Sequence, residues 1–146
     1  MTGTFHILAV DDDAADVALL RRAMRLPGDD ITLETVGDGV EALAYLRREG
    51  PYAGKPSPRL ILLDLNMPRM DGPAFLAERA NDPRLRAVPV VVLTTSGDAR
   101  DVKACYALGA NSFVTKPIDF KDYCSAVGAI RRFWTSVAAV PAAGSG

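Results

Sequence analysis

Leu60-Ile61-Leu62-Leu63-Asp64-Leu65-Asn66-Met67-Pro68 sets four apolar residues in a row and ends them on a carboxylate. An unbroken apolar run this short marks a β-strand covered on both faces, as in a parallel sheet with a layer of helices on each side. Phe5 to Val10 and Val88 to Leu93 read the same way. Ile31 to Val36, with β-branched Thr32, Thr35 and Val36, and Ser112 to Thr115 add two more strands.

Helical segments fall between these runs. Asp13 is an N-cap with Asp16 three residues on, a weak capping box; Val17, Leu20 and Met24 follow at helical spacing, and Pro27-Gly28 stops the pattern. Asp38 and Glu41 form a fuller box ahead of Val40, Leu43 and Leu46, ended by Gly50-Pro51. Pro73 suits a first helical position before Phe75, Leu76 and Arg79. Asp98 opens a fourth helix through Val102, Cys105 and Tyr106, with Gly109 as a left-handed cap. The last helix starts near Asp119 and carries the stripe Phe120, Tyr123, Val127, Ile130, Trp134, Val137. Five strands alternating with five helices predict an α/β fold, a five-stranded parallel sheet with helices on both faces.

The 146 residues suit one domain, expected over 1–137 with a flexible tail over 138–146. Hydrophobic residues make up 49%, enough for a core and against a disordered or disulfide-scaffold class. Lys and Arg total 17 against 18 Asp and Glu, a balance that argues against nucleic-acid binding through bulk charge. No stretch reaches the ~18 apolar residues of a membrane span. The start, Met1-Thr2-Gly3-Thr4, lacks the basic and long apolar segments of a secretory leader. Two cysteines suit a reducing compartment, and the expected location is the cytoplasm.

In a sheet of this kind the site lies beyond the carboxyl ends of the strands. There the sequence places Asp11-Asp12-Asp13, Asp64, Thr94-Thr95-Ser96 and Thr115-Lys116-Pro117. Two carboxylates ~4 Å apart repel by roughly 4 kcal/mol at an effective dielectric of ~20, so such a cluster calls for a cation. Oxygen ligands without clustered His or Cys select Mg²⁺, or Mn²⁺. Carboxylates with a hard ion, Lys116 and the Thr94 hydroxyl suit a phosphoryl group, and Asp64 can be the nucleophile. Taken alone, Asp13 reads as a helix cap, Lys116 as a turn lysine, and His6 as a structural residue in a strand. Four strand ends carrying the same chemistry outweigh these separate readings.

Leu8 to Asp13, Leu62 to Gly72, Val92 to Thr95 and Lys116-Pro117 together resemble the receiver domain of two-component response regulators, a flavodoxin-like (βα)5 fold. The spacings match: 30 residues from Asp64 to Thr94 and 52 from Asp64 to Lys116. The resemblance implies that Asp64 accepts a phosphoryl group from a sensor histidine kinase. Asp12, Asp64 and the Asn66 carbonyl would ligate Mg²⁺, with Asp11 acting through water. Lys116 would hold the phosphoryl oxygens ahead of a cis peptide to Pro117. Thr94 and Phe113 would form the switch, Phe113 acting by packing alone because it lacks a tyrosine hydroxyl. Asn66 and Ser96 would flank the path of attacking water and tune the phosphoryl lifetime.

A narrower resemblance, carried by Pro89 to Ser96, Cys105 to Asn111 and Phe133-Trp134, points to single-domain regulators associated with phytochrome-type kinases. It implies a bacteriophytochrome partner and a homodimer through the helix 4/strand 5/helix 5 face, with Phe133, Trp134 and Val137 in the interface. The expected function is a phosphoacceptor signalling protein or phosphoryl shuttle without its own output domain, not an enzyme. A Mg²⁺-dependent phosphatase using an aspartyl nucleophile is the rival, but it needs an acid two residues after that nucleophile, where Asn66 stands. A flavin-binding module is disfavoured because three aspartates at the first turn repel the cofactor phosphate.

Overall fold

The computed structural model describes residues 4–25 and 30–141. Strands β1 (Phe5–Val10), β2 (Ile31–Val36), β3 (Leu60–Leu63), β4 (Val90–Thr94) and β5 (Ser112–Thr115) alternate with helices α1 (Ala14–Met24), α2 (Gly39–Leu46), α3 (Gly72–Ala80), α4 (Ala99–Ala107) and α5 (Phe120–Arg132). All strand pairs are parallel, in the order β2-β1-β3-β4-β5. The chain runs outward from β1 to β2, then crosses back to β3, so β1 and β3 flank the point where the winding reverses.

Period-two alternation splits the strand residues between two cores. Leu8, Val10, Ile61, Leu63, Val90 and Val92 meet α2, α3 and α4 through residues such as Leu43, Phe75, Leu76 and Cys105. Ile7, Ala9, Leu60, Leu62, Val91 and Leu93 meet α1 and α5 through Leu20, Met24, Tyr123, Val127 and Ile130. The three inner strands are buried along their whole length, apart from the polar edge of β1 at His6, and this is why they read as apolar blocks.

Side-chain caps start every α-helix. Asp13, Asp38, Asp71, Asp98 and Asp119 each accept backbone N–H groups from the first turn. The Asp38 box is reciprocal in a shifted form: Glu41 N–H donates to Asp38 Oδ1 at 2.9 Å, and the Glu41 carboxylate accepts from Gly37 N–H at 3.2 Å. Arg79 is buried at 3% exposure and donates to the carbonyls of Val88, Arg86 and Gly109. It fastens α3 to the turns before β4 and β5. Gly109 takes φ +99°, the left-handed conformation expected of it.

The structure departs from the sequence reading at several points. Strand β4 begins at Val90 rather than Val88, because Val88 N–H closes a turn on the Leu85 carbonyl. Val40 is exposed, and α2 buries Ala42, Leu43 and Tyr45 instead. The 13-residue α5 gives way to a wider π-type turn over Phe133–Val137. That turn shifts the phase of the stripe, so Trp134 packs against the α1/α5 core while Phe133 and Val137 face outward. Over 138–141 the chain stays against the body, where Arg59 Nη2 donates to the Val140 carbonyl at 3.0 Å. The Pro27-Gly28 stop and residues 142–146 of the expected tail lie outside the described residues.

Candidate functional site

The pairing register brings the acids together. Val10 lies opposite Leu63, so the next residues, Asp11 and Asp64, leave adjacent strands side by side. Asp11 N–H donates to the Val36 carbonyl and Asp64 N–H to the Val10 carbonyl, which carries the ladder past both strand ends and fixes where the side chains start. On the other side of Asp64, Lys116 N–H donates to the Thr94 carbonyl at 2.6 Å and brings the lysine in from β5.

The Lys116 ammonium is nearly buried and donates to Asp11 Oδ2 at 3.3 Å and Asp16 Oδ2 at 3.1 Å. Burial opposes its charge, but Asp11, Asp64 and Asp16 outweigh burial and hold its pKa above the ordinary lysine value. Burial raises the Asp11 carboxyl above its usual range, and the Asp64 charge pushes the same way, against the Asp13 N–H and Lys116. Tyr123 closes the floor, its phenol pushed up to about 12 chiefly by burial. Together with neighbouring apolar residues these side chains surround a cavity of about 10 Å³, the space of a single water.

Asp11, Asp16 and Asp64 each offer a carboxylate oxygen within 4.8 Å of the others. This all-oxygen donor set fits a hard divalent ion. Asp16 is the residue that sequence reasoning missed. Its place three residues after a cap suggested a role within the helix, whereas its carboxylate turns to Lys116. The available signal was its position one helical turn beyond Asp12 on a helix whose first turn faces the strand ends.

The other expected residues distribute as follows. Asp12 is exposed at the rim, outside the cluster of three. Asp13 is the cap it was read to be, its Oδ1 accepting from Ala15 N–H at 2.8 Å. Asn66 is exposed in the loop after β3. Thr94 is fully buried, and its Oγ1 has no hydrogen-bond partner. Phe113 is half-buried against the α2/α3/α4 core, and its N–H donates to the Tyr106 hydroxyl at 3.2 Å. Ser96 Oγ is engaged by Asp101 at 2.6 Å. The expected cis peptide before Pro117 is absent; no cis bond occurs among the described residues. In the trans form Lys116 already reaches its carboxylates, and the two forms of an X-Pro bond differ by only about 0.5–1 kcal/mol.

The loop between β3 and α3 is clamped at both ends. Arg69, at φ +60°, donates from Nε to Asp38 Oδ2 at 2.6 Å. Gly39 N–H donates to the Met70 carbonyl, and a Cβ on Gly39 would stand 2.7 Å from the Met70 side chain. At the other end Gly72 N–H donates to the Leu65 carbonyl, and a Cβ there would meet Leu65 at 2.7 Å.

The family model described as response regulator receiver domain matches residues 7–128. Response regulator Rcp1 of Synechocystis is 42% identical over 137 residues, which cover 94% of this chain and 93% of that protein. The crystal structure of the phosphorylated cyanobacterial phytochrome response regulator RcpA superposes with a TM-score of 0.92 at 41% identity, covering 96% of this chain and 100% of that one. The Mn²⁺-bound form of Rcp1 superposes with a TM-score of 0.88 at 41% identity, covering 94% and 99%.

Proposed function

This chain belongs to the response regulator receiver domain family, and from that premise we propose that it accepts a phosphoryl group on Asp64 from the phosphohistidine of a sensor kinase. The observation that carries the proposal is the meeting of Asp64, Asp11 and Lys116 from three different strand ends. A carboxylate oxygen of Asp64 attacks phosphorus, the P–O bond forms as the P–N bond breaks, and the electron pair returns to the ring nitrogen of an imidazole that has taken a proton from water and leaves neutral. The reaction takes one carboxylate to one acyl phosphate, with no redox change.

The residues divide the work by charge and reach. Lys116 supplies a buried cation beside the transferred group, where a low dielectric strengthens it. Asp12, Asp64, the Asn66 carbonyl and Asp11 through water are the proposed ligands of Mg²⁺ or Mn²⁺, with the observed Asp16 carboxylate adjoining them. An ion held there would supply positive charge to offset that of the phosphoryl oxygens. The Thr94 hydroxyl, buried with no partner, gains one when a phosphoryl oxygen arrives. Its movement opens space for Phe113, which responds through packing.

Exposed Leu19, Ile118 and Phe120 supply an apolar rim on α1, the β5–α5 turn and α5, suited to a kinase helix. The likeness to Rcp1 and RcpA supports a phytochrome-type kinase as the donor. Exposed Tyr106, Phe133 and Val137 support a homodimer through the α4/β5/α5 face, with Trp134 beneath it. Free Cys105 and Cys124 suit action in the cytoplasm.

The test is labelling by a phosphorylated histidine kinase or by acetyl phosphate. Asp64→Ala should abolish the label with the fold intact, and a label retained in that variant would move the phosphoacceptor elsewhere.

A further inference from the structure

We propose that the end of the sheet opposite Asp64 is a docking groove for an acidic, extended polypeptide segment of a partner protein. The groove lies between the turns that lead into β3 and β4. Four guanidinium groups line it, those of Arg47, Arg48, Arg59 and Arg84, with Asp82 as the acid beside them, in a chain whose total charge is −1. Two adjoining cavities, of about 450 and 90 Å³, share Leu46, Ser57, Arg84 and Leu85. Arg47, Arg48 and Pro83 extend the larger one, so an apolar floor is edged by guanidinium groups.

Two contacts within the chain show what this surface accepts. The first is carboxylate recognition. Arg84 grips Asp82 with both prongs, Nε to Oδ1 at 3.2 Å and Nη2 to Oδ2 at 3.0 Å, while Arg47 Nε adds a third bond at 3.3 Å. Planar, two-pronged binding of this sort is what arginine offers a carboxylate and lysine does not. Two cations share one carboxylate here, which leaves positive charge for an incoming acid. The second is chain recognition. Pro141 lines the smaller cavity, and Arg59 holds the Val140 carbonyl of the same extended segment. This end of the molecule therefore already takes polypeptide backbone at one side of the groove.

The two observations together favour a peptide over a nucleotide. The groove offers alternating guanidinium and aliphatic contacts, and among the described residues no aromatic ring lines it for a base to stack on. Ala142 to Gly146 contain no acidic side chain. Because the groove is at the far end of the sheet, its occupant can remain bound while the kinase approaches Asp64.

The full-length ¹⁵N-labelled protein is titrated with a synthetic pool of peptides of about twelve residues, roughly 40 Å when extended, with Asp, Glu, Leu or Phe at each position. Amide shifts are expected at 46–48, 57 and 84–86. Affinity should fall roughly tenfold in the Arg48→Gln/Arg84→Gln variant and fall again as salt is raised. If that variant melts early, Arg48→Gln alone carries the test, since it leaves Asp82 both of its partners. A pool with Lys and Arg replacing the acids should leave these amides unmoved. Failure of the acidic pool to bind, shifts confined to the Asp64 end, or equal binding of the basic pool overturns the proposal. Tighter binding of ATP or a single-stranded oligonucleotide at the same residues also overturns it, by showing a phosphate site.

Discussion

Arg69 and Asp38 join the loop that follows β3 to the first turn of α2. Arg69 is exposed and in the left-handed region, while its partner is 4% exposed and also caps a helix. Hydrogen bonds from Glu41 N–H and Arg69 hold the Asp38 carboxyl below the ordinary range, against the opposing effect of burial. One carboxylate thus fixes both a helix start and the loop bearing Asn66.

Asp38→Ala should therefore do more than loosen a helix. Loss of the cap should cost about 1 kcal/mol in urea unfolding. The affinity for Mn²⁺, read from quenching or electron paramagnetic resonance, should also fall because the Asn66 carbonyl loses its mooring. A changed urea midpoint with unchanged Mn²⁺ affinity would separate Asp38 from the site.

Thr94→Val replaces a hydroxyl with a methyl of similar size. Since the Thr94 hydroxyl is buried and unpartnered, the resting protein should gain up to about 1 kcal/mol rather than lose stability. The phosphorylated protein should lose its conformational response, seen as unchanged amide shifts of Phe113 after acetyl phosphate treatment.

Mg²⁺ should raise the melting temperature, because the native state gathers Asp11, Asp16 and Asp64 and the unfolded chain does not. A hundredfold excess over the dissociation constant corresponds to about 2.7 kcal/mol. Asp16→Asn removes one carboxylate from the cluster while its amide oxygen can still accept from Lys116, and so should shrink the gain on adding Mg²⁺. Coincident melts of the wild type with and without Mg²⁺ would remove the acidic pocket from the mechanism.

Acid stability should depend on Asp82. Bonds from Arg84, set against burial and aided by Arg47, hold its carboxyl at about 2, down from 3.8. A carboxyl depressed in the folded state contributes stability that is complete above 3.8 and is lost as pH falls towards about 2. Asp82→Asn should flatten that part of the urea-midpoint profile between pH 4 and about 2, with little change in the slope near neutrality.

Trp134→Ala should lower the melting temperature even in dilute monomer, since the indole packs against the α1/α5 core. Phe133→Ser with Val137→Ser should leave the melt near its starting value and shift the mass in light scattering towards monomer. The two results together assign the inner and outer sides of this last turn.

The strands and the caps were legible because their signals are local. Leu60 to Leu63 reads as a covered strand, and Asp13, Asp38, Asp98 and Asp119 announce four of the helices, while the third was read from Pro73 and its cap, Asp71, was not. The convergence of Asp11, Asp64 and Lys116 followed from strand parallelism alone. Asp16 was not legible: three residues after Asp13 it satisfies a local pattern, and the partner that claims it stands 100 residues away. Val40 fitted the helical period, but the sheet selected a neighbouring stripe with Tyr45 on it. The turn at Phe133–Val137 was hidden for a related reason, because spacing counted along a regular helix cannot register one wide turn. The groove of arginines was invisible because its two halves come from separate turns that are unremarkable apart.

Gly39 and Gly72 pin the two ends of the tile that carries Asn66, each against a neighbour so close that a single carbon has no room. The loop is thereby tied to α2 at one end and to the residue just past β3 at the other. On the opposite wall Thr94 and Phe113 sit in the β4–β5 ladder, with the Phe113 N–H on the Tyr106 hydroxyl and the Thr94 hydroxyl without a partner. If Asp64 takes the phosphoryl group, the Thr94 hydroxyl has an unused hydrogen bond with which to answer it, while the pinned loop stays in place.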